Sequence, residues 1–297
     1  MRVFQTVVDE GGFAAAARLL ELSPPVVTRL VADLEQHLGT RLLQRTTRKL
    51  ALTEAGDAYL ARVRSILHEI EDAEAAAAAS TRDLRGTVRV VAPPVVATNF
   101  LAPMLSHWHA QQPLLMLDID IDPYASARVD EFDVTFMVAA EGFDANIVAR
   151  PLMQGESIVV ASPAYLLRHG TPRTVADLSD HHLITNSVNP LINRWPLLNA
   201  GKNACFVAQG GTRTDNSGLI LALTRNGVGL GRVMDVLAAP LIRSGELVPV
   251  LQDCIDPQNV PIVAVMLQQR QRLPKIRACL DYWAECIGAL GTPIIPA

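Results

Sequence analysis

The spacing of apolar residues divides the chain into two stretches of different period. Up to about residue 80 the period is helical. Val3, Phe4, Val7 and Val8 share one helix face, and Gly11-Gly12 ends that helix. The segment from Phe13 to Leu20 predicts a second short helix with Ala15, Ala16, Leu19 and Leu20 inward, followed by a turn at Leu22-Ser23. Ser23 then stands as N-cap of a third helix opened by Pro24-Pro25, since proline suits a first turn. Its expected buried stripe is Val26, Val27, Leu30, Val31, Leu34 and Leu38, with Gly39 as terminator. Leu42, Leu43, Leu50 and Leu52 bracket a polar run like two short strands joined over residues 46–49. Residues 54–80 read as one long helix, roughly 40 Å at 1.5 Å per residue. Tyr59, Val63, Ile66, Ile70, Ala73 and Ala77 recur along it at 4-3-4-3-4 spacing. So narrow a stripe on a linker predicts pairing with a second copy. The run 74–80 is expected to be solvated, fraying into a hinge at 81–86.

From Thr87 onward strands and helices alternate, as in α/β proteins. Strands are expected at Val88–Ala92, Leu115–Ile121, Asp133–Val138 and Ser157–Ala161, then at Phe206–Gln209, Val228–Arg232 and Ile262–Leu267. Helices fall over 99–110, 216–225, 236–243 and 275–290. The pattern leaves one half near Ala161-Ser162-Pro163 and returns near residues 263–266, which gives two lobes around a cleft. The expected organisation is therefore a head at 1–56, a linker helix and hinge at 57–86, and a larger unit at 87–297. Within that unit, lobe one comprises 87–161 and 264–297, and lobe two 162–263.

Composition and charge sharpen this outline. With 49% hydrophobic residues over 297 positions, the chain must fold, and the length suits two or three globular units. No apolar run reaches the ~18–20 residues of a membrane span, and the first residues lack the apolar core of a secretory leader. Cys205, Cys254, Cys279 and Cys286 lie far apart, which predicts neither a zinc site nor a disulfide framework and suits a reducing cytoplasm. The net charge of −4 conceals an asymmetry: residues 1–66 carry +2 and the remainder −6. Arg41, Arg45, Arg48 and Lys49 fall within nine residues without an acid, so this mildly acidic protein has one local polyanion-binding stretch.

Three short helices, a tight turn between the second and third, and a basic hairpin describe a winged helix-turn-helix. The stretch FQTVVDEGGFAAAARLLELSPPVVTRLVADLEQHLGTRLLQRTTRKLALTEAG closely resembles the DNA-binding end of LysR-type transcriptional regulators. It matches at fixed spacing over about fifty-five residues. The resemblance implies a cytoplasmic, sequence-specific DNA-binding regulator and no enzyme. Its partners would be double-stranded promoter DNA, a small-molecule effector and further copies of itself, paired through the linker helix and assembled as a tetramer. RNA polymerase is one more partner that such a regulator would meet. In this motif the N-terminal part of the third helix enters the major groove. Ser23, Pro24, Pro25, Thr28 and Arg29 are then the expected contacts there, with Arg45, Arg48 and Lys49 of the wing on phosphates. Two departures stand out. Pro24 replaces a common glutamine, which removes an amide contact and shifts operator preference. Relatives also carry residues before the position of Met1, so either the start lies earlier than Met1 or the first helix is short, with a modestly less stable head.

The larger unit is similar to the effector domain of the same family, which shares the type II periplasmic-binding-protein fold. The match rests on G-x-V-R-V-x-A-P at 86–93, F-D-V at 132–134, G-V-G-L-G at 227–231 and G-E-L-V-P-V-L at 245–251. Ligands of open α/β sheets sit beyond the carboxyl ends of strands, near helix N-termini. Pro94, Val95, Thr98, Asn99, Asp122 and Tyr124 are the candidates in lobe one. Thr185, Asn186, Asp215, Asn216 and Met234 are those in lobe two. Many relatives hold a carboxylate with a Ser or Thr soon after the first strand, where this chain has Pro94-Val95-Val96. Relatives also often carry an arginine after F-D-V, where this chain has Thr135-Phe136-Met137. Both differences predict a more apolar effector or a weak carboxylate clamp. No cofactor or metal is implied. Gly227-Val-Gly-Leu-Gly lacks the full dinucleotide fingerprint and reads as a tight helix-to-strand turn. His107, His109, His181 and His182 have no metal partners at ligand spacing, and no nucleophile–histidine set is identifiable. A rival reading, a solute-binding or enzymatic two-lobed domain with an accessory DNA head, is disfavoured by the missing leader and catalytic set.

Overall fold

A computed structural model of the chain describes residues 1–45, 50–78, 84–138, 146–188, 190–201 and 204–290, in two compact units, Met1–Gly86 and Thr87–Ala297. In the first unit, α1 (Arg2–Asp9), α2 (Phe13–Leu19) and α3 (Pro24–Leu38) precede a hairpin of β1 (Leu43–Arg45) and β2 (Leu50–Leu52). The helix α4 (Glu54–Ala78) follows. Phe4, Val7, Ala16, Ala17, Val27, Val31, Leu42, Leu43 and Leu60 form the core.

That core is narrower than the periodicity suggests. On α3 only Val27 and Val31 are buried; Leu34 is half-buried, while Val26, Leu30 and Leu38 are exposed. On α2 the inner residues are Ala16 and Ala17, and Leu19 faces out. So few short elements cover one helix face each and leave the rest to solvent. The linker seam divides similarly. Val63 is buried and Tyr59 packs its ring against Phe4, whereas Ile66 and Ile70 are exposed.

The spacing of residues in the head has local physical causes. Glu35 Oε1 accepts from the backbone N–H of Leu42 at 2.7 Å and of Leu43 at 3.0 Å, pinning β1 to α3. Gly39 adopts φ 67°, the left-handed conformation that ends α3. Thr53 Oγ1 donates to the Arg41 carbonyl at 2.7 Å and accepts from Gly56 N–H at 2.9 Å, capping α4. A Cβ on Gly56 would lie 2.0 Å from the Leu42 carbonyl oxygen, so α4 can approach β1 only with glycine there.

The second unit contains two sheets. The first has β4 (Leu115–Ile121), β3 (Gly86–Ala92), β5 (Val134–Val138), β15 (Ile262–Leu267) and β6 (Ile147–Met153), in that spatial order. The second runs β11 (Thr212–Thr214), β8 (Leu183–Asn186), β12 (Leu230–Met234), β7 (Glu156–Ala161) and β13 (Val248–Pro249). The short β14 (Gln258–Asn259) adds to β7, and β9 (Arg194–Pro196) and β10 (Cys205–Val207) form a separate hairpin. Helices α5 (Pro94–Val96) and α6 (Ala102–Gln111) flank a π-helical turn at Ala97–Leu101. The remaining α-helices are α7 (Pro163–His169), α8 (Ser217–Arg225), α9 (Asp235–Arg243) and α10 (Pro274–Leu290).

Where the chain changes sheets differs from the expected boundary. Residues 156–161 pair with β12, β13 and β14, not with the first sheet, so the outward crossing falls at Gln154-Gly155 instead of at 161–163. The return lies at Val260-Pro261, because Ile262 already pairs with β5 and β6. An apolar strand such as β7 suits either sheet; only its hydrogen-bonding partners decide. The strands β6, β8, β9, β11, β13 and β14 and the helix α7 were not anticipated. All four cysteines are free thiols. Cys279 is buried, and that burial pushes its thiol well above the ordinary range.

Candidate functional site

Two regions carry the chemistry, one in each unit. In the first, the N-terminal end of α3 is an exposed polar surface: Ser23, Pro24, Pro25 and Arg29 all face solvent. Ser23 occupies the N-cap position, yet its side chain makes no capping hydrogen bond, so the role expected for its hydroxyl is not the one it has. The Thr28 hydroxyl donates to the Pro24 carbonyl at 2.9 Å. In this arrangement that donor is used within the helix, and the hydroxyl offers an external partner its acceptor lone pairs. The Arg29 side chain is 83% exposed and, among the described residues, pairs only with Asp33, at 3.7 Å. An exposed i,i+4 pair of that kind is worth little and readily exchanges for a stronger anion. Arg41 is exposed beside the hairpin. Arg45 ends β1, whereas Arg48 and Lys49 lie outside the described residues.

The second region is a cavity of about 470 Å³ between the two sheets of the larger unit. Of the expected residues it brings together Pro94, Val95, Asn186, Asp215, Asn216 and Met234. The α8 N-terminus opens at its wall, where Asn216 caps the helix by accepting from Leu219 N–H at 3.1 Å. The other expected residues are employed elsewhere. Thr98 is exposed, and Asn99 Nδ2 donates to the Val95 carbonyl at 2.8 Å, turned back into its own helical segment. Asp122 accepts from Tyr124 N–H at 2.8 Å and pairs with Arg128 at 3.3 Å, a turn-forming role. Tyr124 is exposed off the cavity, and Thr185 is buried with its hydroxyl 3.4 Å from the Thr212 carbonyl. Six of the residues expected from strand ends line this cavity, whereas side-chain direction at the others depended on turns that spacing does not encode.

Several lining residues were missed: Phe136, Met137, Leu191, Leu237 and, above all, Arg232. Arg232 sits within β12, all five of whose residues are buried. A lone arginine in an otherwise apolar strand was the available signal. Gly229 and Gly231 in the preceding motif are explained by close approach, since Cβ atoms there would meet the His182 carbonyl oxygen at 2.2 Å and Thr224 Oγ1 at 2.3 Å. With Gly227 at φ +74°, the glycine run is a tight turn into β12, as its spacing suggested. His182 Nε2 lies 2.9 Å from Thr212 Oγ1, a structural contact.

A helix-turn-helix head followed by a two-sheet α/β unit with a cavity between its sheets defines a ligand-responsive DNA-binding regulator. Residues 1–57 match the bacterial regulatory helix-turn-helix protein, lysR family, and residues 81–286 match the LysR substrate binding domain. The chain belongs to the LysR family of transcriptional regulators, which bind DNA and small-molecule effectors and oligomerise. It is 31% identical to the HTH-type transcriptional regulator CrgA of Neisseria meningitidis serogroup C over 290 residues, covering 97% of this chain and 96% of that protein. It is also 31% identical to the HTH-type transcriptional activator AaeR of Escherichia coli K12, covering 96% and 93%. Among solved structures, CrgA from Neisseria meningitidis aligns with a TM-score of 0.66 at 29% identity, over 97% of each chain.

Proposed function

We propose that this regulator reads its operator through the N-terminal face of α3 and transmits the state of the inter-sheet cavity to transcription. The observation that carries the DNA-facing part is the exposed end of α3, where Arg29 holds, among the described residues, no partner stronger than Asp33. Arg29 donates two hydrogen bonds to a guanine O6/N7 edge, worth about 1–3 kcal/mol of discrimination. The Ser23 hydroxyl, free of capping duty, reaches phosphate or base, and Arg45, Arg48 and Lys49 neutralise phosphates and set register. Two copies pair along α4 through the outward Ile66 and Ile70, and four copies span neighbouring half-sites. The protein acts in the cytoplasm and meets RNA polymerase at its promoters. Among the described residues no helix is long and apolar enough to cross a membrane.

The test is a gel shift on the DNA upstream of its own gene, at two salt concentrations. A specific complex that weakens steeply with salt is expected. Arg29→Ala should weaken the specific complex by about 1–3 kcal/mol and leave non-specific binding nearly intact. Equal losses on both DNAs would remove Arg29 from base reading, and absence of any specific complex would overturn the assignment of α3.

A further inference from the structure

The outward end of α3 is poor in hydrogen-bonding side chains and rich in apolar ones. Along residues 23–31 the side chains able to donate outward are Ser23 and Arg29, because Thr28 donates to the Pro24 carbonyl. Pro24 and Pro25 are exposed and carry no donor. Val26 and Leu30 are each 42% exposed, whereas the adjacent Val27 and Val31 are 0% and 3% exposed and belong to the core of the head. Packing of the head therefore accounts for Val27 and Val31 but not for Val26 and Leu30.

Single exposed aliphatic residues are ordinary on a protein surface. These two stand on the helix that a helix-turn-helix regulator inserts into the major groove, where DNA would cover them. By helical geometry Val26 lies about 60° around the axis from Arg29, and Leu30 about 40° further and about 6 Å along the helix. A helix about 10–12 Å across fills a groove about 12 Å wide, so its flanks meet base edges as well as its leading face.

The major groove presents hydrogen-bonding groups at every base pair and a single apolar group, the thymine C5-methyl. An aliphatic side chain pressed on a cytosine or adenine amino group desolvates a donor without replacing its hydrogen bond, which costs free energy. Pressed on a thymine methyl, the same side chain buries apolar surface on both partners.

We propose that Val26 and Leu30 read thymine C5-methyl groups, one each, beside the base that Arg29 contacts. Operator preference then rests on methyl positions as much as on hydrogen bonds, which suits a helix that opens with Pro24 where relatives commonly have glutamine. This inference rests on α3 being the operator-reading helix.

The experiment uses the full chain and the DNA upstream of its own gene, with the protected site located by footprinting. Each thymine of that site is replaced singly by deoxyuridine, which removes the C5-methyl and leaves base pairing unchanged. Binding by the parent should weaken about fourfold at two or more thymines, the loss expected for one buried methyl. Val26→Ala and Leu30→Ala should each bind thymine and uracil equally at one of those positions and keep the parent's response at the others. A merely structural role would lower affinity for every DNA and leave the thymine-to-uracil ratio unchanged. The uracil series on the parent needs no variant, so it stands even if one variant fails to fold. A variant that keeps the parent's full response removes its residue from the reading. Both variants doing so, or a specific complex indifferent to uracil throughout, would overturn it. Absence of any specific complex in the parent overturns the operator-reading assignment of α3 instead.

Discussion

The two lobes of the larger unit each bury an arginine, and they treat it in opposite ways. In lobe one Arg270 is 4% exposed; its Nη2 donates to the Asp130 carbonyl at 3.2 Å, its Nη1 to the Phe132 carbonyl, and its Nε lies 3.8 Å from Asp133 Oδ1. Asp133 is itself fully buried and accepts from Arg89 N–H at 2.9 Å. In lobe two Arg232 is equally buried and has one carbonyl. The same side chain is thus a structural fastener where its donors are matched and an under-bonded buried cation where they are not. Burial alone does not distinguish the two; the count of satisfied donors does.

Removing either side chain tests the contrast. The largest effect is expected for Arg270→Met, which leaves the buried Phe132 carbonyl without its donor and takes the nearest positive charge from Asp133, and should cost about 3–5 kcal/mol, read as a lowered urea midpoint. Asp235→Ala should cost less, about 1–3 kcal/mol, because Asp235 is 8% exposed and accepts from Glu156 N–H at 2.8 Å, leaving one donor unpaired when truncated. Arg232→Met should leave stability unchanged or raise it by about 1 kcal/mol, since an under-bonded charge is exchanged for apolar volume. A loss as large as that of Arg270→Met would erase the distinction between the two arginines.

The smallest effect concerns pH in lobe two. Burial, and next the nearby His169 charge, hold the His181 pKa below its ordinary 6.5, opposed by Asp177 and Asp180. The Tyr165 hydroxyl accepts from His182 N–H at 2.8 Å, which frees its own proton for the neutral His181 Nδ1, 3.2 Å away. Folding therefore favours neutral imidazole. Its contribution is fully present above pH 6.5 and declines as the pH falls through 6.5 toward the lower folded value. Melting temperatures recorded from pH 7.5 to 5.5 should fall slightly more steeply for the parent than for His181→Gln, and parallel slopes would remove His181 from the balance.

What could be read from the sequence follows from how local each cause is. Glu35, Gly39, Thr53 and Gly56 act within a few turns of their own positions, so their spacing carried the head intact. Strands such as Arg194–Pro196 and Thr212–Thr214 span three residues without alternation and exist only through the strands they pair with, so periodicity passed over them. Asp122 and Tyr124 lay at a correctly expected strand end, yet an Asx-type turn directs them away from the cavity. Arg232 escaped because the family pattern carries its arginine at the Thr135-Phe136-Met137 position, within β5 of the other sheet.

The two crossings between lobes, Gln154-Gly155 and Val260-Pro261, run side by side, joined where Val260 N–H donates to the Gly155 carbonyl at 2.6 Å. Gly155 is packed there as well, with Met234 Cε 3.1 Å from where a Cβ would stand. Two adjacent pins define a single axis, so the sheets can swing against each other but are restrained from sliding or twisting apart. A molecule seated beside that axis then acts on a short lever arm. A small change in its size becomes a larger displacement at the far rims, in proportion to their distance from the hinge.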